Sequence, residues 1–158
     1  MLLTPLSHAL IEPVERLLKL GEPFVRARTT SDYWLYAQLF ASSCPVVLIE
    51  DEVAGVAIAF RSQEAPDEVY IQDVMTAPEH RRKGVAKVLL SHVRDQAISW
   101  GAKRIYLTSE PENRPARVTW EQEGYVNRRG DFLVDGIWVV RDFKGPGKHR
   151  AVYDHHLD

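Results

Sequence analysis

The sequence predicts a mixed α/β domain, with a mostly antiparallel central sheet of about six to seven strands flanked by about four helices. Three observations carry that expectation. Short runs rich in Val, Ile, Tyr and Phe are bounded by turn residues, and apolar residues at helical spacing separate them. The apolar period then switches from 2 to 3.6 at Gly84. A chain of 158 residues is long enough for one domain to bury a core without disulfide or metal staples. With 45% apolar and 27% charged residues it matches ordinary globular composition, so disordered, collagen-like and membrane classes are excluded as whole-chain descriptions.

Each element has its own justification. Leu2 to Leu6 reads as a short first strand. Ala9, Leu10, Val14, Leu17 and Leu18 share one face of a helix that ends at Gly21. Thr30 or Ser31 caps a second helix with Tyr33, Trp34, Ala37 and Phe40 inward. Val46–Ile49 and Val53–Phe60 form an antiparallel hairpin around Glu50-Asp51-Glu52. Val69–Thr76 is a long strand stopped by Pro78, and Ala86, Leu89, Leu90, Val93, Ala97 and Trp100 mark a helix closed by Gly101. Arg104–Thr108 is a strand, Asn113–Gln122 a helix closed by Gly124, and Tyr125–Arg128 and Ile137–Phe143 are the last strands. Gly145-Pro146-Gly147 ends the ordered part, which leaves a single domain over residues 1–144 and a tail over 145–158, mobile or packed on a partner.

The net charge of −2 conceals a local asymmetry. Residues 45–80 hold eight acids against Arg61 alone, and residues 81–87 then hold Arg81, Arg82, Lys83 and Lys87 with no acid. The near-neutral total excludes a general nucleic-acid binder. No run approaches the roughly 20 apolar residues of a membrane span, and Met1–Leu6 lacks the features of a signal peptide. Cys44, the single cysteine, points to a reducing, cytoplasmic setting and reads as a buried thiol. The six histidines lack metal-ligand spacing, so no metal is expected.

Chemistry concentrates where the strand meets the helix. Arg81-Arg82-Lys83-Gly84-Val85-Ala86 has the pattern R-x-x-G-x-A at a loop-to-helix junction. Free N–H groups of a first helical turn, the helix dipole and the neighbouring cations all favour a polyanion such as a pyrophosphate. A Walker A loop and a dinucleotide fingerprint are excluded, because neither glycine spacing occurs.

The stretch Val69-Tyr-Ile-Gln-Asp-Val-Met-Thr-Ala-Pro-Glu-His-Arg-Arg-Lys-Gly-Val-Ala86 resembles the central acetyl-CoA motif of the GNAT superfamily of N-acetyltransferases. Downstream, Lys103–Ser109 resembles that family's next strand, and Asn113-Arg-Pro-Ala116 with Trp120 and Gly124-Tyr125 resembles its N-x-x-A…Y-x-x-x-G-F segment. The resemblance implies a sheet splayed at the cofactor cleft, with Val74, Met75 and Thr76 along the edge that binds the pantetheine arm. It implies that the N–H groups of Arg82, Lys83, Gly84, Val85, Ala86 and Lys87 hold the pyrophosphate, helped by Arg81. Val74 N–H would donate to the thioester carbonyl, and Asn113 would contact the cofactor, with Arg114 and Arg117 in reach of its 3′-phosphate. Trp120 replaces the tyrosine that often serves as general acid; an indole donates a hydrogen bond but no proton near neutral pH, so it would pack against the cofactor arm or in the core.

Asp73 is the candidate catalytic residue, either receiving the proton of the incoming ammonium or serving as an ordinary polar strand residue. The expected activity is an N-acetyltransferase that moves an acetyl group from acetyl-CoA to a primary amine by direct attack. The acid-rich stretch favours a cationic small molecule as acceptor. A non-catalytic acyl-CoA-binding sensor and a protein lysine or N-terminal acetyltransferase are the rival readings. No nucleic-acid or membrane partner is expected, and the frequency of dimers in the family makes a homodimer possible.

Overall fold

The computed structural model describes residues 1–158. Its sheet contains β1 (Leu2–Pro5), β2 (Pro45–Ile49), β3 (Glu52–Arg61), β4 (Glu68–Thr76), β5 (Arg104–Ser109), β6 (Val126–Asn127) and β9 (Ala151–His156), and a separate ribbon pairs β7 (Phe132–Val134) with β8 (Ile137–Val139). The helices are α1 (Ile11–Lys19), α2 (Thr30–Leu39), α3 (Val85–Ser99) and α4 (Arg114–Gln122). The sheet order is β1-β2-β3-β4-β5-β9-β6, antiparallel throughout except for the parallel pair β4–β5. No helix is long and apolar enough to cross a membrane.

The sheet divides the core in two. One apolar cluster gathers Val69, Ile71, Ile105 and Leu107 with Val85, Leu89 and Val93 of α3 and Trp120 of α4. The other gathers Val56, Ile58 and Met75 with Val14 and Leu18 of α1 and Tyr33 of α2. Cys44 lies in this second cluster, where burial pushes its thiol up to about 12.

Three expectations need correction. Helix α2 is capped by Thr29, not Thr30 or Ser31: its Oγ1 accepts from Asp32 N–H (3.2 Å) while the Asp32 carboxylate accepts from Thr29 N–H (3.0 Å). Only Thr29 has an acid three residues on, as a capping box requires. The expected strand over Ile137–Phe143 is shorter, pairs with a strand inside the expected loop, and leaves the main sheet. Residues 151–156 of the expected tail form β9, inserted between β5 and β6 in register from Arg104↔His156 to Ser109↔Ala151. Long-range ion pairs settle its position. Asp154, buried in β9, accepts from Arg128 Nε (2.8 Å), Arg128 Nη2 (2.6 Å) and Arg104 Nη1 (3.0 Å), and Arg104 Nη2 reaches Glu68 (2.7 Å).

Gly55 of β3 sets the depth at which α3 sits on the sheet. A Cβ there would collide with Val85 and press on Leu89 Cδ1 and the Met75 carbonyl oxygen, each at 3.1 Å. Gly55→Ala is therefore expected to destabilise the protein by about 1–3 kcal/mol. A thermal melt checks the loss.

Candidate active site

Strand β4 changes partners halfway along. Glu68–Ile71 pairs with Arg104–Leu107 of β5, but residues from Gln72 onward have no β5 partner, and Thr108 and Ser109 continue against β9 alone. On its other edge β4 carries a bulge: Ile58 faces Asp73 and Ala59 faces Ile71, so Gln72 is the extra residue. An inserted residue reverses which face alternate side chains occupy. Val69 and Ile71 accordingly point into the α3 cluster, whereas Asp73 falls on the same face as Met75, which packs in the α1 cluster. Val74 packs on the α3 side.

The same alternation sorts the backbone. Ala77 N–H donates to the Ala54 carbonyl (2.8 Å), so Met75 turns its N–H to β3. Val74 and Thr76 therefore present theirs to the side that β5 has left. Met75 departs from its expected place on this edge, because its backbone faces β3 and its side chain is buried.

The loop after β4 delivers a second set of donors. Arg82 and Gly84 both have positive φ (64° and 82°), and Gly84 caps α3 without a side-chain hydrogen bond. No Cβ clash explains Gly84; its left-handed backbone does. The first bond of the helix runs from Val88 N–H to the Gly84 carbonyl (3.1 Å). The six successive N–H groups from Arg82 to Lys87 have no acceptor in the protein. Arg81, Arg82, Lys83 and Lys87 are exposed beside them and form no ion pair.

Two buried polar atoms also lack partners, Asp73 Oδ2 and Trp120 Nε1. Asp73 is 8% exposed, and burial pushes its carboxyl up to about 6 against the pull of Arg28 and Lys144. Trp120 belongs to the core cluster beneath α4. Asn113 caps α4, its side-chain oxygen accepting from Ala116 N–H (3.3 Å). Arg114 and Arg117 are held by Asp135 (3.2 Å) and Glu121 (2.8 Å).

Asp73 opens into a cleft of about 300 Å³. Its walls come from the α1–α2 connection, the end of β5 and the β8–β9 connection. Five cations line it, Arg26, Arg28, Lys144, Lys148 and Arg150, against the carboxylates of Asp73 and Glu110. The lining beside Asp73 is therefore mostly basic, although the acid-rich stretch led to the expectation of an acidic one. Glu50, Asp51 and Glu52 lie at the β2–β3 turn and Glu64 and Asp67 in the β3–β4 connection, so most of the acid-rich stretch is elsewhere. The basic lining escaped sequence reasoning because it is split between residues 26–28 and 144–150; a charge count over each connection would have exposed it.

A sequence profile described as the acetyltransferase (GNAT) family matches residues 14–125. The chain belongs to the GNAT family. Among its relatives, an uncharacterized N-acetyltransferase, YhfO, of Bacillus subtilis (strain 168) is 37% identical over 92 residues, 54% of this chain and 61% of that protein. The L-2,4-diaminobutyric acid acetyltransferase of Nocardia farcinica is 26% identical over 102 residues, 65% of this chain and 52% of that protein. The chain thus spans between about half and three fifths of the length of these curated relatives. In fold it is similar to a diaminobutyrate acetyltransferase of Paenibacillus lautus solved with L-2,4-diaminobutyric acid and coenzyme A. That match has a TM-score of 0.78 at 20% identity and covers 98% of this chain and 93% of that one. The GNAT resemblance of Val69–Ala86, and the mixed, mostly antiparallel sheet it implies, are thereby established.

Proposed function

We propose that this GNAT protein transfers an acetyl group from acetyl-CoA to the primary amine of a small molecule. The observation that carries the reading is Asp73, a buried carboxylate with a free oxygen at the point where β4 parts from β5. Bound acetyl-CoA supplies the activated thioester. The unpartnered N–H groups of Arg82 to Lys87 suit its pyrophosphate, and the neighbouring cations add long-range attraction. The free edge at Val74 and Thr76 suits the amide-bearing pantetheine arm, with Val74 N–H placed for the carbonyl oxygen on which charge develops. Trp120, packed in the core cluster with its Nε1 unpartnered, moves no proton. The Asp73 carboxylate receives the proton that the acceptor ammonium must lose. Cys44 takes no part as an acyl carrier, since its raised pKa keeps it a thiol, and it fits a reducing cytoplasm.

Release of free CoA thiol from acetyl-CoA in the presence of primary amines tests the proposal. Turnover is expected to rise with pH through about 6 as Asp73 ionises, because only the carboxylate accepts a proton. Tight acetyl-CoA binding with no turnover of any amine would favour the sensor reading instead.

A further inference from the structure

We propose that the acceptor carries a carboxylate or phosphate besides its amine, and that the basic wall of the Asp73 cleft binds this anion. The inference rests on the acetyltransferase reading for the amine and adds the chemistry of the rest of the molecule. The five cations come from two separate connections, and none lies within 4.0 Å of a carboxylate. Like charges gathered around one cleft repel each other, a cost that an anionic ligand removes. The wall is also built, not frayed. Lys144 Nζ donates to Tyr70 Oη (2.5 Å). The connection that carries Lys144 and Lys148 is closed on itself: Gly147 N–H donates to Asp142 Oδ1 (2.8 Å), Lys148 N–H to the Gly145 carbonyl (2.9 Å), and Asp142 N–H to His149 Nδ1 (2.9 Å). Arg28 is fixed at its backbone, whose N–H donates to Tyr33 Oη (2.8 Å), leaving the guanidinium free for the cleft.

The cleft is thus bipolar. Its buried end offers the Asp73 carboxylate to an ammonium, and the rest of its wall offers five cations, with Glu110 as the only other acid, to an anion. A polyamine would meet like charge over most of its length, whereas an amino acid or an amino-phosphate matches both ends. A volume of about 300 Å³ suits a molecule of that size.

Matched acceptors test this. L-2,4-diaminobutyrate is compared with 1,3-diaminopropane, which lacks only the carboxylate, and O-phosphoethanolamine with ethanolamine. The expected result is that kcat/KM favours the anionic member of at least one pair by about tenfold or more. The pair with the larger preference separates carboxylate from phosphate. Arg28→Gln and Lys144→Gln should each shrink the preference, Arg28→Lys should restore most of it, and added salt should weaken it. The same pairs are titrated calorimetrically without acetyl-CoA. Tighter binding of the anionic members without turnover would uphold the anion site and sink the acetyltransferase reading. Turnover without any anionic preference would overturn the anion site and leave that reading standing. Equal binding with no turnover would overturn both.

Discussion

Asp73→Asn is expected to lower kcat/KM by about 100-fold or more, as loss of a positioned general base does, while making the folded protein more stable at neutral pH. The two effects share a cause. Burial raises the carboxyl from 3.8 to about 6, so between those values the native state holds a proton that the unfolded chain has released. Stability attributable to this group is therefore fully present at low pH and falls as pH rises through that window, and above it the buried charge costs about 3 kcal/mol. An amide of the same shape carries no such cost. Thermal melts at pH 7.5 should show Asp73→Asn melting on the order of 5 °C above wild type, with the gap closing toward pH 4. A variant that loses activity and stability together would mean that Asp73 is a structural group.

Asp154→Ala should be the most destabilising substitution outside the apolar core, by about 3 kcal/mol or more. Burial alone would raise this carboxyl, but the hydrogen bonds and charges of Arg128 and Arg104 hold it below the usual range. Removing it leaves two half-buried guanidinium groups uncompensated on a strand that lies between β5 and β6. Because β9 holds β5 along six residue pairs, loosening it also loosens Ser109 at the mouth of the cleft. A chemical denaturation curve reads the loss. An unchanged midpoint would assign the hold on β9 to apolar packing by Val152 and Tyr153. The group's lowered pKa adds a pH signature: its contribution is present above the ordinary carboxylate range and is lost as pH falls through the depressed value.

Much of this was legible in the chain because it is encoded locally. The hairpin of β2 and β3, the long β4, and the change of period at Gly84 each follow from neighbouring residues, as does the run of free N–H groups from Arg82 to Lys87. Asp73 could be selected because it stands one residue before Val74 in a recognisable string. What stayed hidden is non-local. Strand β9 reads as a polar terminus until Arg104 and Arg128, 50 and 26 residues away, are seen to neutralise Asp154. The role of Gly55 depends on a helix 30 residues later, and the cleft's cations meet only after the fold brings two connections together. The bulge at Gln72 leaves no mark in composition, yet it decides which side of the sheet Asp73 serves.

That extra residue has an architectural consequence. The sheet is a wall between two compartments, and the parting of β4 from β5 is a window in it. The free N–H groups that open α3 stand on the α3 side, while the Asp73 carboxylate turns to the other. In the proposed reaction, acetyl-CoA and the amine would approach from opposite sides and meet at the sill formed by Asp73 and Val74. On that reading nothing has to be ferried between distant stations: one irregular strand would separate the visitors and bring them together.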